Sequence, residues 1–221
     1  MIVLGINSAT NKTEIALIKN RKVLAEKSWI SNKNEAEKIP SAIRGILKKS
    51  GLNYKDVGML FVVSGPGSFT GLRVGVTIGN ALGFGLNVPM KSCTTFDLLQ
   101  AKISLSAKNK TAIIISAGGG QVAVMKKGLK APKIISREEL GLWLNHEKGL
   151  QYALLDFKKE QQAEIQKILK TAKLKLLPQN AEKSFGKAII ELLAKSPKHK
   201  MVKPNYLQKP NITASKKPVF T

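Results

Sequence analysis

The stretch SGPGSFTGLRVGVTIGNALGFG, Ser64–Gly85, joins a glycine-rich loop to a segment of helical character. Within that segment Gly71, Gly75, Gly79 and Gly83 recur every fourth residue. A glycine inside a helix costs about 1 kcal/mol relative to alanine, so four of them require a compensating gain. Residues four apart stack on one helix face. Stripping side chains from that row cuts a groove along which another backbone can approach closely, as small residues do in membrane helix pairs. Packing is therefore the expected compensation. The groove is filled either by the helix's own sheet or by a helix of another chain, and the spacing does not choose between them.

Working outward, IVLGIN (Ile2–Asn7) is apolar and β-branched, as buried strands are. TEIALI (Thr13–Ile18) and KVLAEKSWI (Lys22–Ile30) follow after short polar turns, which predicts an antiparallel meander. The period then becomes helical: in residues 34–51, Ala36, Ile39, Ile43, Ile46 and Leu47 share a face. Pro40 lies inside this segment and predicts a bent or separate first turn. VGMLFVV (Val57–Val63) reads as a buried strand, and the glycine helix should begin near Ser68 or Phe69. VPMKS (Val88–Ser92) reads as a short strand, and TFDLLQAKISL as a helix capped by Thr94 or Thr95. The order βββαβαβα predicts an α/β fold with a mixed sheet covered by helices.

The composition shifts at residues 107–110 (AKNK), which suggests lobes at 1–106 and 107–200 with a partly docked tail at 201–221. In the second lobe, TAIIISA and QVAVMKK flank Gly118–Gly120 and predict a hairpin. A helix near REELGLWLNH, the strand YALLDF, a helix around EQQAEIQKILK, the strand LKLL and the helix AEKSFGKAIIELLAK complete the reading.

Charge is the unusual feature of the composition: 37 Lys and Arg against 14 Asp and Glu, a net of +23. Such a surface suits a phosphate-bearing partner. Only Arg21, Arg44, Arg73 and Arg137 are arginines, however, and lysine-rich, arginine-poor usage also follows from AT-rich codons. Cys93, the only cysteine, excludes an internal disulfide and fits a reducing compartment. The opening MIVLGINSAT lacks the basic region and cleavage site of a secretory signal, and Val74–Met90 is too short and glycine-rich to span a bilayer. A cytoplasmic protein is the expectation.

Catalytic equipment is sparse. SGPGSFTG could aim backbone N–H groups at an anion, but it matches neither the P-loop nor the dinucleotide fingerprint and carries no lysine. A tight strand-to-helix turn is the competing reading. His146 and His199 have no partner at metal-ligand spacing. Cys93 has no histidine near it, and Ser64 and Ser68 are not in a nucleophile elbow. No catalytic residue and no metal site is assigned.

SGPGSFTGLRVGVTIGNALGFGLNVP resembles the signature of the bacterial TsaB (YeaZ) family, non-catalytic relatives of TsaD in the actin-like/Hsp70/sugar-kinase superfamily. MIVLGINSATNKTEIALI, the Pro40 helix and NVPMKSCTTFDLL agree with that family in order and spacing, and KPNYLQKPNIT is similar to its tail. The likeness is firm over residues 1–100, thin over 101–200, and returns near 204–213.

The resemblance implies two actin-like (ribonuclease H-like) lobes, the second reduced. It implies a scaffold subunit that pairs with TsaD through a helical bundle and supports formation of N6-threonylcarbamoyladenosine (t6A) at position 37 of ANN-decoding tRNAs. TsaE and a TsaC-type enzyme belong to the same pathway, and tRNA is met through the complex. On this reading Phe69, Gly71, Leu72, Gly75, Val76, Gly79, Asn80 and Gly83 lie at the partner interface with Ile39 and Ile43. Gly75→Leu and Gly79→Leu should then block pairing and spare the fold. No tightly bound cofactor is implied, while a nucleotide at the interface of the complex and a homodimer of the free chain stay open.

Asn7 stands where the superfamily has an aspartate, so Asn7, Ser8, Thr10, Gly65 and Gly67 form at best a degenerate phosphate loop. SAGGGQVAV replaces the family's acidic and basic turn in the second lobe. The alternative functions are an ATP-dependent small-molecule kinase of the same superfold and a free-standing basic RNA-binding protein. A metallopeptidase would need a histidine pair that the chain lacks.

Overall fold

In a computed structural model, which describes residues 1–32, 34–157, 159–178 and 182–207, strand β1 (Ile2–Asn7) is buried along its whole length. It is flanked by β2 (Lys12–Lys19), antiparallel, and β4 (Val57–Val63), parallel. The β1–β2 register sets Asn7 opposite Glu14. β3 (Lys22–Ile30) completes the expected meander.

Helix α1 (Glu35–Lys49) buries Ile39, Ala42, Ile43, Ile46 and Leu47. The separate first turn that Pro40 could impose is not found. The amides of Glu37 and Lys38 both bond to the Asn34 carbonyl, so the first turn belongs to the same helix. The carbonyl that Pro40 cannot serve is that of Ala36, an exposed residue whose backbone water can reach.

β4 leads through the loop at 64–68 into α2 (Phe69–Gly85), which returns to β5 (Met90–Cys93), parallel to β4. Ser68 caps α2 through its side chain. α3 (Thr95–Lys102) starts with a reciprocal Thr94–Asp97 capping box, and the one-turn α4 (Leu105–Lys108) leads to the second lobe.

There, β6 (Thr111–Gly118) and β7 (Gln121–Met125) form the expected hairpin. Its turn holds Gly118, Gly119 and Gly120 at φ of 81°, 55° and 78°, a conformation that other residues rarely adopt. β8 (Lys133–Ser136), absent from the sequence reading, adds an edge before α5 (Arg137–His146). β9 (Tyr152–Asp156), α6 (Lys159–Thr171) and β10 (Lys175–Leu176) finish a five-stranded sheet of order β10-β9-β6-β7-β8.

The expected boundary at residue 200 needs correction. α7 (Phe185–Leu192) and β11 (Lys198–His199) return to the first lobe, giving a six-stranded sheet of order β11-β5-β4-β1-β2-β3. Phe185, Ala188, Ile189 and Val202 join the core built on β1, β2, β4 and α1. The physical reason lies at Gly5. A Cβ there would collide with the Ile189 side chain and approach Phe185 to 3.2 Å, so α7 seats its apolar face on a strand left bare to receive it. Val202, Asn205 and Tyr206 contact the first lobe, and Leu207 packs on the cluster shared with the second, while the remainder of the expected tail, 208–221, lies outside the described residues. Among the described residues no helix is long and apolar enough to cross a membrane.

Candidate functional site between the lobes

The glycine row of α2 faces inward. A Cβ at Gly71 would overlap the Ser8 carbonyl oxygen, and one at Gly75 the Ser8 hydroxyl. One at Gly79 would lie 2.6 Å from Val62 Cγ2, and one at Gly83 would lie 2.6 Å from Met90 Sδ. The groove is therefore filled by β1, β4, β5 and the turn after β1. This corrects the expected partner interface: Gly71, Leu72, Gly75, Val76, Gly79 and Gly83, with Ile39 and Ile43, are buried within their own lobe. Of that set Phe69 is 46% exposed. Asn80 is half-buried, and its side chain accepts from the Val202 amide and donates to the Val202 carbonyl, both at 2.9 Å. The outward face of α2 instead carries Arg73, Thr77, Ala81 and Phe84, the last 90% exposed.

The residues expected at a degenerate phosphate loop do come together, but their polar groups are engaged with one another. Asn7 is fully buried and donates to Thr10 Oγ1 (2.8 Å) and Glu14 Oε2 (3.0 Å), while its Oδ1 accepts from the Ala9 amide. Thr10 donates to the Lys12 carbonyl and Ser8 to the Gly71 carbonyl. The Ser68 amide donates to the Ala9 carbonyl at 2.8 Å, and a Cβ on Gly67 would overlap that same oxygen. At Gly65, the carbonyl accepts from the Thr95 amide, and Asn205 closes over the loop by donating to the Ser64 carbonyl. The loop is thus a tight strand-to-helix turn whose Ser68 amide is already taken by the Ala9 carbonyl.

Three charged residues that the sequence reading did not nominate share this region. Lys102, from the end of α3, places its ammonium 2.7 Å from each Glu14 carboxylate oxygen. Asp156, at the end of β9, accepts from the Asn11 amide at 2.8 Å, and Asn11 Nδ2 donates to the Phe157 carbonyl at 3.2 Å. These two bonds tie the β1–β2 turn to the second lobe. Burial pushes the Asp156 carboxyl up to about 6, against the opposing pull of the Asn11 amide and Lys102. Burial likewise raises Glu182 and pushes the Cys93 thiol up, as befits a buried structural cysteine. Of these, only Glu14 was within reach of the sequence, as the cross-strand partner of Asn7.

Between the lobes lies a cavity of about 700 Å³. Its walls include Thr10, Asn11 and Glu35 from the first lobe, and Ile115, Asp156 and Phe157 from the second. Glu35 and Asp156 are its charged members among the described residues, and neither lysine nor arginine is among them. Two carboxylates on the wall, with no lysine or arginine beside them, do not fit a nucleotide's phosphates. Among the described residues no group of three His, Cys, Asp or Glu could hold a metal ion.

Two sheets flanking a cleft, each built on a β-meander or hairpin with parallel additions, define a two-lobed actin-like α/β protein. Two solved structures from Pseudomonas aeruginosa share this fold over nearly the whole chain. One, described as an uncharacterized protein with similarity to peptidase YEAZ, has a TM-score of 0.70 at 15% identity and covers 94% of this chain and 99% of its own. The other, YeaZ, has a TM-score of 0.67 at 14% identity and covers 93% and 99%. The family model of TsaD, tRNA N6-adenosine threonylcarbamoyltransferase, matches residues 24–140, more than half of the chain. The TsaB of Bacillus subtilis, a tRNA threonylcarbamoyladenosine biosynthesis protein, is 30% identical over 101 residues, 46% of this chain and 44% of that protein. The TsaB of Escherichia coli is 28% identical over 148 residues, 66% and 60% of the two chains. The chain belongs to the family of that model, among its TsaB (YeaZ) members. It spans about half the length of the curated relatives it matches.

Proposed function

We propose that this chain is a non-catalytic subunit in t6A formation on tRNA, pairing with TsaD and meeting tRNA through that complex. The relatives named for threonylcarbamoyladenosine biosynthesis support the pathway. The observation that carries the subunit role is the outer face of α2. It lies within the segment matched by the family model, its only charge is Arg73, and it leaves Phe84 almost fully in water. An exposed aromatic on a helix face whose one charge is an arginine has the composition of an interface core. The engaged hydrogen bonds of Asn7, Ser8 and Thr10 argue against a kinase and agree with a subunit lacking its own phosphoryl chemistry.

In this role the protein works in the cytoplasm beside TsaE and a TsaC-type enzyme. Light-scattering chromatography with and without the TsaD of its own organism tests the pairing, and the chain run alone reads whether the same face pairs two copies. A stoichiometric complex that weakens in Phe84→Ser is the expected result. Separate elution, with TsaE and nucleotide present, overturns the reading.

A further inference from the structure

The second lobe segregates its charge along its strands. In its sheet Tyr152 pairs with Thr111 and with Lys175, Met125 with Ile113, and Lys133 with Val124. The starts of β6, β8, β9 and β10 and the end of β7 therefore meet at one end of the sheet. Lys110, Lys127, Lys133, Lys148, Lys173 and Lys175 sit at or just beyond those strand ends. The Lys110 carbonyl accepts from the Gln151 and Tyr152 amides, and the Gln151 carbonyl from the Lys175 amide, so neighbouring approaches are tied together. All of these lysines are exposed, and among the described residues none of them pairs with a carboxylate. Glu147 and Glu191 lie beside this end, but Lys126 holds the first, and Lys108 and Lys183 the second. The opposite end of the same strands holds Asp156, with Glu138 and Glu139 just beyond Ser136.

AT-rich codons raise the lysine content of a whole chain, but they give no reason for lysines to gather at one end of a sheet. The helix dipole accounts for Lys170 in the last turn of α6, whereas Lys110, Lys127, Lys133 and Lys175 lie outside helices. Adjacent strands are about 4.8 Å apart, so a rim across five strands spans roughly 19 Å. That is too long for one mononucleotide and suits several phosphates of a polynucleotide. The exposed apolar side chains nearest the rim are Ile134 and Leu176, neither an aromatic on which a base could stack. Lysine also brings a point charge without the bidentate fork that reads a base edge. We propose that this end of the second lobe is a direct, sequence-independent contact for the phosphate backbone of a folded RNA. The choice of RNA rests on the t6A role proposed for the chain. The rim is separate from the outer face of α2, so loss of RNA binding and loss of pairing with TsaD are read independently.

Fluorescence anisotropy of an unmodified tRNA transcript titrated with the full chain, over a series of salt concentrations, tests the inference. Binding should saturate and weaken with a log–log salt slope of about −3 or steeper. The triple variant Lys127→Glu, Lys148→Glu, Lys175→Glu should lower affinity by about tenfold or more and still pair with TsaD. A control of equal net charge, Lys19→Glu, Lys22→Glu, Lys55→Glu, alters exposed lysines of the first lobe and should change affinity by less than about threefold. Acetylation footprinting of the wild type, which needs no variant to fold, should show Lys127, Lys148 and Lys175 protected by tRNA and Lys22 and Lys55 not. Failure of the wild type to bind the transcript, equal losses in the two triple variants, or no protection at the rim overturns the proposal. So does equally tight capture by phosphatidylglycerol vesicles, which would make the rim a membrane contact.

Discussion

The Lys102 ammonium sits 2.7 Å from both oxygens of the Glu14 carboxylate, with the two side chains only 9% and 5% exposed. Asn7 completes the arrangement from β1 by donating to Glu14. The end of the first strand thus holds an anion opposite Asn7 and a tethered cation that neutralises it.

Removing one partner of such a pair strands the other in a medium that solvates it poorly. Lys102→Met should destabilise the protein by about 3–5 kcal/mol. Adding Glu14→Gln should recover most of the loss, since the amide can still bond to Asn7 without carrying charge. Urea denaturation of the wild type, both single variants and the double variant measures this; a double variant no more stable than Lys102→Met excludes the account.

Asp156 gives a pH signature of definite sign. Its carboxyl is raised from 3.8 to about 6, so the native state holds this proton more tightly than the unfolded chain. The stability it contributes is complete below pH ~4 and is lost as pH climbs through ~6, a change of up to about 3 kcal/mol. Glu182 is shifted in the same direction. Thermal melts between pH ~4 and ~7 should show a shallower slope for Asp156→Asn than for wild type.

Because the glycine row packs on its own sheet, Gly79→Ala drives a methyl group to 2.6 Å from Val62 and should cost about 1–3 kcal/mol. Gly75→Leu and Gly79→Leu should unfold the isolated chain, where the sequence alone suggested that they would spare it. Thr77→Ala, on the outward face, should shift stability by no more than about 0.5 kcal/mol. Chemical denaturation of the four variants separates the two faces of one helix.

Asn80 answers both backbone groups of Val202, a residue only 2% exposed. Asn80→Ala leaves that amide and carbonyl unpaired in the interior, at a cost of about 1–3 kcal/mol. Limited proteolysis should then cut after α7 well before it cuts α2. Equal resistance in wild type and variant would mean that other contacts hold the segment.

Much of the first lobe was legible because each element there obeys one local period. The β-branched run at Ile2–Asn7, the two strands joined by short polar turns and the apolar stripe of α1 each specify a shape from nearby residues. The glycine spacing of α2 announced close packing but not its direction, since a four-residue repeat looks the same whether Val62 or a foreign helix fills the groove. β8 and β11, four and two residues long, are too short to show a period, and both exist because an edge strand awaited them. The cavity escaped the reading for a related reason. Glu35 and Asp156 are about half the chain apart, and only the docking of the lobes brings them to one wall.

The first lobe is closed by the end of the described chain. α7 covers Gly5, β11 borders β5, and Val202 is gripped by Asn80, whereas the second lobe is continuous from β6 to β10. During synthesis on the ribosome the lobe begun first is therefore finished last. The second lobe can complete its sheet once Leu177 has emerged, while β5 keeps a bare edge until residues 198–202 arrive. The face of the first strand at Gly5 therefore lacks its final cover until α7 has emerged, although β2, β4 and α2 are made long before.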